Sequence, residues 1–215
     1  MARTKQKKLD ALITLPNVFN AEDQNVRESL TKYFASAGPF TIEIGCGHGD
    51  YSAELAQKFP DRNFVGIDVK GARIFKGSTK VLELNLNNVA FVLIKAENLK
   101  DIFLPKEIEE IFIPFPEPHQ KRANHNRRLI SSSFIDLYKE LLIDSGLLHF
   151  KTDNSELFKY AVKNILDAKG KILFKTEDFH GENEVEYNYG ILTSFEKHYL
   201  KENRKIKYIC ASLNF

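Results

Sequence analysis

The sequence predicts an α/β fold, a mostly parallel sheet of seven strands with helices on both faces. Seven short β-type runs recur, at Phe40–Ile44, Phe64–Asp68, Val89–Ile94, Glu110–Ile113, Leu147–Lys151, Lys171–Lys175 and Lys207–Ala211. Segments with apolar residues at helical spacing lie between most of them, and this alternation is the mark of parallel strands joined by crossover helices. The chain has 215 residues, 43% hydrophobic and 28% charged, an ordinary globular balance with enough length to bury a core without staples.

Residues 1–20 read as a basic, polar N-terminal arm and 21–215 as a single domain. Asn20, with Asp23 three positions on, resembles a helix cap, and Val26, Leu30, Tyr33 and Phe34 follow on one helical face until Gly38-Pro39. After the strand Phe40–Ile44 comes Gly45-Cys46-Gly47-His48-Gly49, then Tyr51, Leu55 and Phe59 at helical spacing. Ile74, Val81 and Leu82 mark the next helix. The run Glu110–Ile113 meets Pro114-Phe115-Pro116-Glu117-Pro118, where three prolines forbid a continuing ladder. A helix carrying Phe134, Leu137, Tyr138, Leu141 and Leu142 is expected to stop at Gly146, and another spans about Glu156 to Asp167. An acidic loop from Glu177 to Glu186 and a short helix near Phe195 precede the last strand.

Several function classes drop out early. Cys46 and Cys210 lack the clustering a zinc site needs, which points to a reducing compartment, the cytoplasm, and to no metal. No run approaches about 18 uninterrupted apolar residues, so no membrane span is expected. Net charge is +2, but Lys121, Arg122, Arg127 and Arg128 crowd together with His119 and His125 and no acid. Such a cluster is a candidate phosphate contact, as is the basic start at Arg3, Lys5, Lys7 and Lys8. His48 and His125 are read as surface or packing residues.

The glycine loop narrows the chemistry. Gly45, Gly47 and Gly49 follow a strand and precede a helix, and Asp68 lies about 20 residues on, where a carboxylate grips ribose hydroxyls. The dinucleotide fingerprint is a poor match, because its third glycine comes one position later and Asp50 would face pyrophosphate at the helix start. No Gly-Lys-Ser/Thr follows, which excludes a Walker loop. S-adenosylmethionine carries a ribose, a sulfonium and an ammonium but no phosphate, and it favours acids. Glu43, Asp68, Glu97 and Glu117, spread over successive strand ends, suit it.

From Glu43 onward the chain resembles the bacterial tRNA (guanine-N7-)-methyltransferases. Phe115-x-Glu117-Pro118-x-x-Lys121-Arg122 with Arg127-Arg128-Leu129 is similar to that family's signature, as are His149-Phe150-Lys151-Thr152-Asp153-Asn154 and Thr193-Ser194-Phe195-Glu196. The resemblance implies a Rossmann-like class I S-adenosylmethionine-dependent methyltransferase fold and methyl transfer to N7 of a guanine in the tRNA variable loop, by a monomer or homodimer. Carried over by position, it implies cofactor contacts at Glu43 and Asp68 and substrate contacts at Lys121, Asp153, Thr193 and Glu196. The family's catalytic aspartate falls on Glu117, its tryptophan on His119, and a cofactor-side aspartate on Lys95, which Glu97 would replace.

Guanine N7 bears an in-plane lone pair and no proton, so the transfer needs alignment and no general base. Positive charge grows on the purine, and a carboxylate at Glu117 is worth more in the transition state than before it. Asp153 and Glu196 would accept guanine's ring and exocyclic N–H donors, Phe115 or His119 would stack on the base, and Lys121, Arg122, Arg127 and Arg128 would clamp flanking phosphates. An alternative, a catalytically weakened RNA-binding module on the same fold, follows from the departures at Glu117, His119 and Lys95.

Overall fold

The computed structural model describes residues 11–12, 14–35, 38–181 and 189–214. They fall into two compact units, Met1–Leu104 and Pro105–Phe215. Eight strands and six α-helices are seen among the described residues. The expected α/β alternation holds, with one strand more than predicted.

In the first unit the elements are β1 (Val18–Asn20), α1 (Val26–Tyr33), β2 (Phe40–Ile44), α2 (Asp50–Lys58), β3 (Asn63–Asp68), α3 (Gly71–Glu83) and β4 (Val89–Leu93). The strands lie in the order β1–β4–β3–β2 and all pair in parallel. Every residue of β2 and β3 is buried, the reason these strands read as apolar runs without alternation. The added strand is β1, which lies in the segment read as an arm and pairs Val18 with Phe91 and Asn20 with Leu93. Too short at three residues to show a strand pattern, it forms because β4 offers a free edge, and Phe91 N donates to Asn17 O at 2.8 Å. Asn20 is not a helix cap: its Oδ1 accepts from Glu22 N, and α1 begins only at Val26, after Asn25 in the left-handed region. The basic positions Arg3 to Lys8 lie outside the described residues.

The second unit holds β5 (Ile108–Pro114), α4 (Ser132–Leu141), β6 (Leu142–Thr152), α5 (Ser155–Asp167), β7 (Lys171–Thr176), α6 (Ser194–Lys201) and β8 (Lys207–Ser212). Its strand order is β5–β6–β8–β7, with β5 and β6 parallel and β8 antiparallel to both its neighbours. Gly146 does not terminate α4. The helix ends at Leu141 and β6 starts at Leu142, so Gly146 stands inside a strand whose register against β5 shifts between Ile108 and Glu110. Its missing side chain is needed there, since a Cβ would sit 2.9 Å from Ile143 O and 3.1 Å from Glu109 O. Of the acidic loop, 182–186 lies outside the described residues, while Asp178 pairs with Lys205 at 2.9 Å.

Candidate functional site

In the first unit the parallel register brings the carboxyl ends of β2 and β3 to one edge, where Ile44 pairs with Ile67. The glycine loop leaves β2 there and is tied to β3 by Gly45 N and Cys46 N, which both donate to Ile67 O at 2.8 and 3.0 Å. Gly47 and Gly49 hold φ of 57° and 66°, values that side-chain-bearing residues adopt at a cost. They differ in surroundings. A Cβ on Gly49 would fall 2.5 Å from Phe91 Cε1, whereas one on Gly47 would meet nothing within 4 Å. Gly49 is therefore closed by the core, and Gly47 faces open space into which a ligand can approach the backbone.

Two carboxyl groups border this loop. Asp68, at the end of β3, accepts from Gly47 N at 2.9 Å and from Lys70 N at 2.8 Å. Glu43 in β2 accepts from Ser52 N at 2.9 Å and Ser52 Oγ at 2.8 Å. Burial lifts the Glu43 pKa to about 8, against the pull of the Ser52 hydrogen bonds. An acid at the end of β3 beside an open glycine backbone suits a ligand bearing hydroxyls, and the buried Glu43, mostly protonated near neutral pH, would ionise against a bound cation. Glu97 is exposed in the 3₁₀ turn Ala96–Asp101 that follows β4, with Lys95 exposed just before it.

In the second unit β5 and β6 are parallel and Pro114 pairs with Lys151, so the proline-rich turn and Asp153 emerge at the same edge. Phe115 N donates to Lys151 O at 2.9 Å, and Phe115 and His119 both have positive φ, 51° and 40°. Two strained non-glycine residues thus bracket Glu117, which is exposed and 3.9 Å from His119 Nδ1. Strain of this kind persists only where neighbours enforce it. Arg128 is one enforcer. It is buried, its Nε donates to Pro118 O at 2.8 Å and its Nη2 to His119 O at 3.3 Å, and its guanidinium lies 4.6 Å from the Tyr160 ring centre.

The four residues of the expected phosphate clamp differ in exposure. Lys121, Arg122 and Arg127 are exposed on and beside the 3₁₀ turn Arg122–Arg127, whereas Arg128 is 3% exposed and bonded to two carbonyls, which makes it a strut of the turn. Thr193 and Glu196 have partners within the fold. Thr193 caps α6, with its hydroxyl accepting from Glu196 N at 3.1 Å, so Thr193-x-x-Glu196 acts locally as half of a capping box. Glu196 is fully buried, and both its oxygens are held by Lys151 Nζ at 2.7 and 3.0 Å, with His180 Nε2 at 2.8 Å from Oε1. It faces Lys151 and no open surface. Burial pushes the Lys151 pKa down to about 8, opposed by the Glu196 carboxylate.

Asp153 remains at the edge. Its Oδ2 accepts from Arg204 Nη1 at 2.8 Å, and Lys207 Nζ donates to its backbone oxygen at 3.2 Å. Phe115 packs edge-on against Tyr199, with ring centres 5.4 Å apart. His149, from the second signature segment, is buried: its Nδ1 lies 2.7 Å from Tyr208 Oη, and its ring stacks on Phe112 at 4.2 Å. Lys151, Tyr199 and Arg204 escape a reading of the sequence, because each acquires its role from a partner remote along the chain. His48 is exposed, and His125 packs against Tyr160, as expected for surface and packing residues.

Comparison with known proteins places this geometry in a family. The family profile described as "Putative methyltransferase" matches residues 37–209. A tRNA (guanine-N(7)-)-methyltransferase of Cytophaga hutchinsonii is 36% identical over 97% of both chains. The enzyme of that name from Christiangramia forsetii is 38% identical over 82% of this chain and 80% of its own. The chain belongs to the tRNA (guanine-N7-)-methyltransferase family. Among solved structures, an antibiotic-related methyltransferase overlays with a TM-score of 0.63 at 20% identity, covering 86% of this chain and 92% of its own. A 16S rRNA methyltransferase overlays at 0.65 with 12% identity, covering 87% and 94%, likenesses that show the methyltransferase fold alone. Family membership makes the strained turn and the acidic glycine loop parts of a methyltransferase. Among the described residues no group of acids, histidines and cysteines is arranged to hold a metal ion, and no helix is long and apolar enough to cross a membrane.

Proposed function

We propose that the chain transfers a methyl group from S-adenosylmethionine to N7 of a guanine in the variable loop of tRNA, in the cytoplasm, where its two free, buried cysteines stay reduced. The observation that carries this reading is the turn after β5, in which two positive-φ residues hold Glu117 out to solvent within a family signature. S-adenosylmethionine, when bound, supplies the electrophilic methyl group. Glu43 and Asp68 would hold it, Asp68 through ribose hydroxyls and Glu43 through a cationic group, with Gly47 leaving the backbone approachable and Glu97 adding an acid from beyond β4.

The remaining work belongs to the chain's own side chains. Glu117 offsets the positive charge that grows on the purine, an interaction stronger in the transition state than before it. Asp153 accepts guanine's N–H donors, and Phe115 or His119 contacts the base plane. Lys121, Arg122 and Arg127 bind phosphates of the folded RNA, whose shape supplies much of the recognition. The basic positions Arg3, Lys5, Lys7 and Lys8 are further candidate phosphate contacts.

The test is transfer of labelled methyl from S-adenosylmethionine to unmodified tRNA, followed by nuclease mapping. Label at N7 of a variable-loop guanine is expected. Glu117→Gln should lower kcat about 100-fold with KM for tRNA little changed, and Glu117→Asp should retain activity. A protein that binds tRNA but transfers no label would be the RNA-binding module instead, and label on another class of acceptor would overturn the substrate.

A further inference from the structure

We infer that Arg204 is a positioning residue, which aims the Asp153 carboxylate at the target guanine. This deepens the reading of Asp153 proposed above and rests on it. Asp153 stands just beyond the end of β6, three-quarters buried, where its side chain would otherwise be free to turn about two torsions. Arg204 removes that freedom. Its Nη1 donates to Asp153 Oδ2 at 2.8 Å and its Nη2 to Glu202 Oε2 at 2.8 Å, while its guanidinium carbon lies 4.8 Å from the Tyr199 ring centre. Glu202 is held in turn by His198 Nε2 at 3.2 Å. Two acids and one ring therefore fix a planar cation, and the planar cation fixes Asp153.

The arrangement is ill suited to a role in stability. The Arg204 side chain is 48% exposed, and an ion pair that open to water adds little to folding. It is well suited to orientation. Tyr199, beneath the guanidinium, also packs on Phe115, the strained residue two positions before Glu117. The Asp153 carboxylate and the Glu117 turn are thus referenced to one aromatic ring. Each carboxylate oxygen has more than one acceptor direction, so the bond from Arg204 leaves Asp153 able to accept from guanine's N1–H and exocyclic amine. Arg204 with Asp153 and Glu202 carries a net negative charge, which suits a purine becoming cationic.

The experiment compares kcat/KM on two otherwise identical tRNAs with guanine or hypoxanthine at the target position. Hypoxanthine keeps N7 and N1–H but lacks the exocyclic amine. Wild type should prefer guanine by about 10-fold or more, and Arg204→Lys, which keeps the charge but not the planar fork, should lose part of that preference, whereas Arg204→Ala should bring it to within about twofold, as should Asp153→Asn. Should the alanine variant fail to fold by thermal melting, Arg204→Gln carries the comparison. If Asp153→Asn loses the preference while Arg204→Ala keeps it, or Arg204→Ala slows both RNAs equally, the positioning role is wrong. A fall of about one in the salt slope of tRNA binding for Arg204→Ala would make Arg204 a phosphate contact and overturn the proposal. If Asp153→Asn keeps the wild-type preference, the assignment of Asp153 to guanine fails first, and the role of Arg204 falls with it.

Discussion

Glu43 shows what a single buried carboxyl does to this protein. Its pKa moves from 4.5 to about 8 because burial strips the water that would stabilise the charge, and the two bonds from Ser52 only partly compensate. The folded state therefore keeps a proton that the unfolded chain gives up between those values. The stability associated with this proton is present below about pH 4.5 and is lost as pH rises through about 8, at up to about 1.4 kcal/mol per unit. Melting temperatures of wild type and Glu43→Gln, measured from pH 5 to pH 9, should diverge in favour of the variant as pH rises. Parallel curves would show that Glu43 is ionised throughout. Asp68, bonded to two backbone N–H groups, presents its carboxylate with the geometry already set.

At the scale of the element, the loop between β2 and α2 separates folding from binding by two positions. Gly47→Ala puts a methyl group into open space at φ 57°, so it should cost only about 1–2 kcal/mol of stability while sharply weakening S-adenosylmethionine binding by calorimetry. Gly49→Ala drives a Cβ into the Phe91 ring and should lower the melting temperature more. The reverse ranking in melts would place the ligand space elsewhere. Helix α6 is anchored to β6 by the Lys151–Glu196 pair, which is buried at both ends. Lys151→Met should destabilise by about 3–5 kcal/mol because it strands a buried carboxylate, and Lys151→Met with Glu196→Gln should recover most of that in denaturant melts. A double variant as unstable as the single one would mean that packing of the lysine stem, and not charge, holds the helix.

For the whole molecule, a net charge of +2 gives no general attraction to RNA, so affinity must come from local groups. Lys121→Ala and Arg122→Ala should each weaken tRNA binding and reduce the slope of log affinity against log salt by about one. Arg128→Ala should leave that slope alone, yet lower the melting temperature and kcat, because it releases the turn that holds Glu117. A slope that falls for Arg128 and not for Lys121 would reverse the division between strut and clamp.

The strand runs, the glycine loop and the proline-rich turn were all legible along the chain, because each depends on residues adjacent in sequence: side-chain period, φ freedom at glycine, and the missing N–H of proline. The segments that resemble family signatures could be placed at strand ends for the same local reason. What stayed hidden was pairing between distant residues. A strand as short as Val18–Asn20 exists only because β4 has an edge to offer, and Gly146 turned out to lie within a bulged strand because β5 approaches it. Nothing local distinguishes Arg128 from Arg127, but one is buried against the carbonyls of Pro118 and His119 and the other is exposed. Nor does anything local name Lys151 as the partner of the Glu196 carboxylate, 45 positions away. Composition and periodicity settle which segments bury apolar surface, whereas the fate of each charged group is decided by which other charge the folded chain brings within hydrogen-bonding distance.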